Sequence, residues 1–488
     1  VIRIARKILA TLGWAVLGAA ALAFTLYVLH ARAMPDLAAW HEPLPVKDFR
    51  ARTDAGESFD AYLAREQRLF AAVAELDEEL GDEATRVSRY RAGGPMNPAT
   101  YARNWNRTLS DAPAEPVGGA LLLHGLSDSP YSMRTLAELF RAHGFATVGL
   151  RIPGHGTVPG ALAHVSWRDW SAAVRIAARH AAALAGGDRP LVLVGYSNGA
   201  ALATDYILEA LGGNGDPVPA RAVMLSPAIR VSAVAAFARL QRRLSALPGL
   251  HKLGWTDILP EYDPYKYNSF PTRAGEEIFK LTRSIHGRIA AASNSGALTG
   301  FPPVLAFQSA VDATIPALGV AEELLAFLPE EHSELVLFDV NAEAEALDLT
   351  RASADRVVRD LTARSGRPYT LTILTNKGTG GPGVVARTRH PSESAFTDRT
   401  PDLAWPEGVF SLSHVALPFP PDDPVYGNGG DPRDRVRTLG NIEPRGERGV
   451  LIVPAAQLMR LRFNPFFAYV QARVEEVIDG LVERGDGT

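Results

Sequence analysis

The chain has 488 residues, 47% of them hydrophobic, enough for one large α/β domain with insertions or for two ordinary domains. Its 50 Lys plus Arg oppose 54 Asp plus Glu for a net charge of -4, so no basic field exists to hold nucleic acid. The lack of cysteine excludes disulfides, thiolate metal sites and a cysteine nucleophile, and leaves the compartment open.

Ile8 to Leu29 is an uncharged apolar run that, as a helix, is long enough to cross about 30 Å of hydrocarbon. Arg3, Arg6 and Lys7 precede it and are expected to stay cytoplasmic, which places the rest of the chain in the periplasm or outside the cell. Ala31-Arg32-Ala33 offers a small-x-small pattern for cleavage and secretion; a buried apolar helix is a third reading. Met34 to Phe49, rich in proline and polar residues, reads as a juxtamembrane linker, and Ser58 to Leu80 as an amphipathic helix against the domain.

From Ala120 to Val340 apolar runs alternate with helical patterns, as in a parallel sheet with crossover helices. Strands are expected at 120–125, 145–152, 190–197, 221–226, 303–310 and 334–340. After the first, Ser129 is placed to cap a helix that Pro130 opens. Residues 227–300 interrupt the alternation with amphipathic and aromatic pieces and read as a cap whose apolar surface lines a pocket for an acyl chain. The stretch 341–408 carries the apolar run Tyr369 to Asn376 and then a Gly- and Pro-rich segment without periodicity, and no role follows from it. A last amphipathic helix covers 455–484, with Pro465 starting a turn or kink. The division is therefore 1–34 anchor or signal segment, 35–119 linker and N-terminal helical region, 120–226 and 301–340 core, 227–300 cap, 341–408 insertion, and 409–488 final loop and helix.

Gly195-Tyr196-Ser197-Asn198-Gly199 follows an apolar strand and precedes a helix, the setting of a nucleophilic serine on a strained turn. That turn puts the Asn198 amide at a helix amino terminus, facing an oxygen that becomes negative. A second donor is required, and the strand ending in His124-Gly125-Leu126 offers the Leu126 amide. In the order LLLHGLSDSP, RIPGHG, GYSNG, VLAFQSAVDATI and SLSHVALP, the chain resembles the α/β-hydrolase superfamily, in its carboxylesterase, monoacylglycerol lipase and lysophospholipase group. The resemblance spans roughly 120–340 and 410–484. It implies an α/β-hydrolase fold with a mainly parallel sheet and a helical cap, here behind an N-terminal transmembrane helix.

The resemblance also implies an oxyanion hole from the backbone amides of Leu126 and Asn198, and supporting roles for His124 and His155. In the order serine, acid, histidine, the resemblance points to Asp312 as the acid with Asp339 as its rival, and of 12 histidines only His332, His390 and His414 follow Asp312. Asp312 ends its strand and resembles the family acid, whereas Asp339 lies inside an apolar run. His332 falls at the wrong end of a strand and His390 in a loop without pattern. His414, in a strand-like run followed by a loop, resembles the family's terminal histidine. The expected activity is ester hydrolysis through an acyl-enzyme on Ser197, with Asp312 and His414 completing the triad and no cofactor or metal. Expected partners are a small or lipid-like ester and a membrane reached through the N-terminal helix. A peptidase or amidase, an acyltransferase, or a non-catalytic membrane-bound binding module remain as rivals, and the oligomeric state is open.

Overall fold

The alternating runs become a single ten-stranded sheet. The computed structural model describes residues 2–80, 87–231, 241–330, 333–344, 355–378, 380–429, 438–440 and 453–485. Its strands are β1 (Leu109–Asp111), β2 (Gly118–Leu123), β3 (Phe145–Leu150), β4 (Leu191–Tyr196) and β5 (Arg221–Leu225). A separate two-stranded ribbon, β6 (Trp255–Asp257) with β7 (Phe270–Pro271), intervenes. The large sheet resumes with β8 (Val304–Ser309), β9 (Glu334–Phe338), β10 (Thr370–Asn376), β11 (Val384–Arg389) and β12 (Thr397–Arg399).

The order is β1-β3-β2-β4-β5-β8-β9-β10-β11-β12. From β3 to β10 every neighbouring pair is parallel, and β1, β11 and β12 pair antiparallel to their neighbours. Parallel strands must be covered on both faces, which is why the central runs are apolar throughout rather than alternating. One face packs on helices Trp167–Leu184, Asn198–Ala210 and Thr272–Ser295, with Trp170, Ile207 and Leu281 buried among them. The other face packs on helices Arg134–Ala142 and Phe467–Gly485 through Phe140, Phe466 and Val474. Burying each such side chain stabilises the fold by roughly 1.5–3 kcal/mol.

Several expectations change here. The insertion after residue 340 is a continuation of the sheet: β10 aligns parallel to β9, and β11 and β12 fold back beside it. Helix Thr272–Ser295, which falls inside the stretch read as a cap, buries Ile278, Leu281, Ile285 and Ile289 in the main core and belongs to the crossover from β5 to β8. Ser129 precedes a 3-10 turn, Pro130–Met133, and its hydroxyl caps nothing; the α-helix starts at Arg134. His332 and much of the amphipathic run VAAFARLQRRLSAL lie outside the described residues.

Residues 34–49 are not a bare linker. Trp40, His41, Asp48 and Phe49 are buried, and Asp48 meets the Arg151 guanidinium with two contacts of 2.9 and 3.0 Å. Glu66, from helix Phe59–Leu80, approaches the same guanidinium at 3.2 Å. All three side chains are at most 5% exposed. Burial disfavours the charge of Arg151, yet Asp48, Tyr62 and Glu66 hold its pKa well above the ordinary value. Asp48 also accepts the Gly154 amide at 2.7 Å, so the cluster fastens the 152–156 loop to the N-terminal segment.

Helix Ile2–Ala33 contains Ala10–Ala33, a stretch long and apolar enough to cross a membrane and exposed over most of its length. Its end packs Ala31 on Leu250 and Leu253, and Lys252 Nζ lies 2.7 Å from both the Met34 carbonyl and Asp36.

Replacing Arg151 by Met strands two buried carboxylates, so Arg151→Met is expected to cost about 3–5 kcal/mol. Urea unfolding monitored by circular dichroism measures it; a loss under about 1 kcal/mol would mean that the cluster contributes little.

Candidate active site

Ser197 sits between β4 and helix Asn198–Ala210 with φ 53° and ψ −113°. A β-carbon on Gly195 would come within 2.5 Å of the Ala200 backbone, and one on Gly199 within 2.0 Å of the Leu123 carbonyl oxygen. Only glycine fits at either place, so the pattern G-x-S-x-G is the sequence form of a helix set hard against two strands. The Ser197 amide donates to the Leu225 carbonyl at 2.9 Å, which pins the turn to β5. Ser127 and Ser226 also take positive φ, 66° and 42°, so strained serines cluster at this end of the sheet.

The structure brings Ser197, His414 and Asp312 together. Ser197 Oγ lies 3.1 Å from His414 Nε2, and His414 Nδ1 lies 2.7 Å from Asp312 Oδ2. A proton on Nδ1 donates to the carboxylate and leaves Nε2 to accept from the serine hydroxyl, the tautomer that a general base needs. Asp312 is in turn heavily supported. Its Oδ2 accepts from Ser226 Oγ at 3.1 Å and Gln308 Nε2 at 3.0 Å, and its Oδ1 accepts the amides of Thr314 and Ile315 at 2.8 and 2.9 Å. Burial alone would raise the Asp312 pKa, but His414 and these donors carry it below the usual value.

Asp339, the other candidate acid, accepts its neighbour's amide (Val340) and the Thr375 hydroxyl, and burial raises its pKa. His390 bonds Thr370, the first residue of β10, at the amino-terminal edge of the sheet and so opposite Ser197. The segment before His414 is irregular chain rather than the strand-like run expected. It is fixed by polar ties instead: Ser309 Oγ to the Leu412 carbonyl at 2.7 Å, the Asn341 amide to the Phe410 carbonyl at 2.8 Å, and Tyr196 Oη to the His414 carbonyl at 3.3 Å. Sequence reasoning missed Ser226, Gln308 and Ser309. Their positions at strand ends were the available signal.

Leu126 and Asn198 face the same cavity as Ser197, with Asn198 heading its helix, where amides have no intrahelical acceptor. His124 is buried, with Nδ1 2.9 Å from the Gly125 carbonyl and Nε2 accepting the Ile152 amide at 3.1 Å. Both ring nitrogens are engaged by backbone in its neutral form. Burial pushes the pKa of His124 well below the ordinary value, and that of His155 down to about 4.

The cavity at Ser197 is about 270 Å³. Leu126, Ala228, Val231, Ile278 and Ile315 give it an apolar wall. It adjoins a second cavity of about 350 Å³ lined by Asp257, Asp263 and Arg462, while Asp128, Lys266 and Arg460 line both. The apolar pocket expected from the cap sequence is thus a cavity with one apolar wall and with Asp128, Lys266 and Arg460 also in its lining. The charges come from the loop after β2, from the ribbon and the connection between its strands, and from 460–462, which periodicity does not reveal. Among the described residues no group of His, Asp or Glu is arranged to hold a metal ion.

Residues 114–339 match the model of the serine aminopeptidase S33 family. A stretch of 59 residues is 41% identical to the thermostable monoacylglycerol lipase of Bacillus sp. (strain H-257), covering 12% of this chain and 23% of the lipase, so the match spans under a quarter of that relative's length. Among solved structures, the monoacylglycerol lipase of Paleococcus ferrophilus is 20% identical with a TM-score of 0.35, over 52% of this chain and 98% of that one. A soluble variant of monoglyceride lipase from Saccharomyces cerevisiae is 14% identical with a TM-score of 0.36, over 47% of this chain and 81% of that one.

A pH dependence follows from His155. Unfolded, it takes up a proton as pH falls below about 6.5, whereas the folded chain resists until about 4. Its stabilising contribution is complete above the unfolded value and is lost as pH falls toward 4, amounting to about 3 kcal/mol. Urea midpoints measured from pH 7 to 4.5 should fall less steeply in His155→Phe than in the parent; parallel curves would refute the assignment.

Proposed function

We propose that this chain, whose residues 114–339 match the serine aminopeptidase S33 family, hydrolyses carboxylic esters through an acyl-enzyme on Ser197. The observation that carries the reading is the hydrogen-bonded series Ser197, His414, Asp312 opening onto a partly apolar cavity. Ser197 Oγ attacks the ester carbonyl as its proton passes to His414 Nε2, and the Asp312 carboxylate stabilises the resulting imidazolium. The negative oxygen is met by the amides of Leu126 and Asn198. Collapse of the tetrahedral adduct breaks the bond to the alcohol, which leaves with the proton from His414. Water, giving its proton to the same nitrogen, attacks the acyl carbon; the second adduct collapses, His414 returns the proton to Ser197, and the acid leaves. No cofactor enters any step. The apolar wall suits a lipid-like acyl chain, as the name of the Bacillus relative suggests.

A second reading, aminopeptidase, is favoured by the family description and by Asp128, Asp257 and Asp263, carboxylates that could receive a peptide's α-ammonium. Turnover of p-nitrophenyl esters against aminoacyl p-nitroanilides separates the two. Ester turnover is expected, with fluorophosphonate labelling of Ser197; exclusive anilide turnover would replace the ester reading. Ser197→Ala and Asp312→Asn should lower kcat by about 10⁴-fold or more, and Asp339→Asn by no more than a few-fold. Loss of activity in Asp339→Asn with Asp312→Asn unaffected would move the acid.

For the N-terminal helix, we propose an anchor with Arg3 and Lys7 on the cytoplasmic side and Ser197 beyond the opposite face. Alkaline phosphatase fused after residue 50 should be active in a bacterial host; an inactive fusion would reverse the orientation.

A further inference from the structure

The two cavities beside Ser197 differ in which of their charges are already neutralised. Lys266 Nζ is 2.9 Å from Asp128, and Arg462 Nη1 is 3.6 Å from Asp263. Asp257 is pushed toward its neutral form by burial. Arg460 is different. It is half-buried, lies 3.5 Å from the Thr314 hydroxyl, and among the described residues has no carboxylate within ion-pair distance. Its charge reaches the buried phenol of Tyr196, next to the serine. Among the described residues Arg460 is therefore the charge without an ion-pair partner that lines both the serine cavity and the adjoining chamber, whereas Asp257 lines the chamber alone.

The side of the serine on which this cation sits gives it a meaning. Thr314 follows Asp312, and Val415, also in both linings, follows His414. Arg460 thus stands on the histidine side, where the leaving alcohol must lie to take its proton from Nε2. The apolar residues Leu126, Ala228 and Val231 belong to the other side, by the oxyanion amides and the end of β5. We propose that Arg460, with Lys266 in the same cavity and Arg462 in the adjoining one, forms an anion subsite that selects esters whose alcohol carries a phosphate group. A guanidinium with two further cations matches an anion of several acceptor oxygens, and donors are left on Lys266 after Asp128 and on Arg462 after Asp263 and Tyr262. This rests on the ester reading above and narrows it to a phosphorylated alcohol.

The test compares kcat/KM of the full chain for 1-decanoylglycerol and for 1-decanoylglycerol 3-phosphate, with fluorophosphonate labelling of Ser197 as the control. A preference for the phosphate ester of roughly ten- to hundredfold is expected, weakening as salt rises. Arg460→Gln should abolish the preference and Arg460→Lys should keep part of it. Labelled enzyme that turns over the neutral ester equally well, or a preference unchanged in Arg460→Gln, overturns the subsite and leaves the ester reading intact. If Ser197 is not labelled and neither ester is hydrolysed, both fall together.

Discussion

The close approach of helix Asn198–Ala210 to β2 and β4 is the constraint from which the site follows. With Gly199 against the Leu123 carbonyl, the chain has room to turn only through a left-handed residue, and Ser197 is that residue. Such a conformation is costly for a side-chain-bearing residue, by about 1–3 kcal/mol, and persists because the surrounding sheet over-determines it. The bond from the Ser197 amide to β5 and the all-buried strands on either side supply that rigidity. A hydroxyl held at the carboxyl edge of the sheet, beside the first amide of a helix, is the product.

The histidine has no comparable secondary structure behind it. Its segment is irregular, 102 positions from Asp312, and reaches the serine because hydrogen bonds from Ser309, Asn341 and Tyr196 hold successive carbonyls. The intervening residues are accommodated by adding β10, β11 and β12 at the far side of β9, so the main chain still returns to the same edge. Loop length is cheap in free energy compared with packing, and here most of that length is itself packed.

The central strands were legible because parallel strands buried on both faces leave continuous apolar runs: five of the six expected runs contain an observed strand, and the first, 120–125, overlaps β2 with a shift of two residues. Ser197 was legible because its glycines answer to a steric demand that leaves a short pattern. The added strands were not: β11 mixes Val384 and Val385 with Arg387 and Arg389, and β12 is wholly exposed, so neither carries an apolar signal. Residues 40–49 read as linker because their burial depends on distant partners: Asp48 meets Arg151, Trp40 packs with Tyr90 and Val158, and His41 bonds Ser269. The supports of Asp312 were hidden for the same reason. A serine after β5 and a glutamine on β8 look ordinary until the sheet brings them together.

The sheet's two open margins have a further consequence. One ends in Leu109–Asp111 and the other in Thr397–Arg399, each three residues long and set antiparallel to its neighbour. Asp111 at one margin and Asp398 with Arg399 at the other are exposed. A short ladder capped by charge gives an incoming strand few backbone groups to pair with and a desolvation penalty for trying. The apolar, two-sided strands that make the interior so cohesive are thereby kept from templating fibrils, and growth of the sheet stops within the chain.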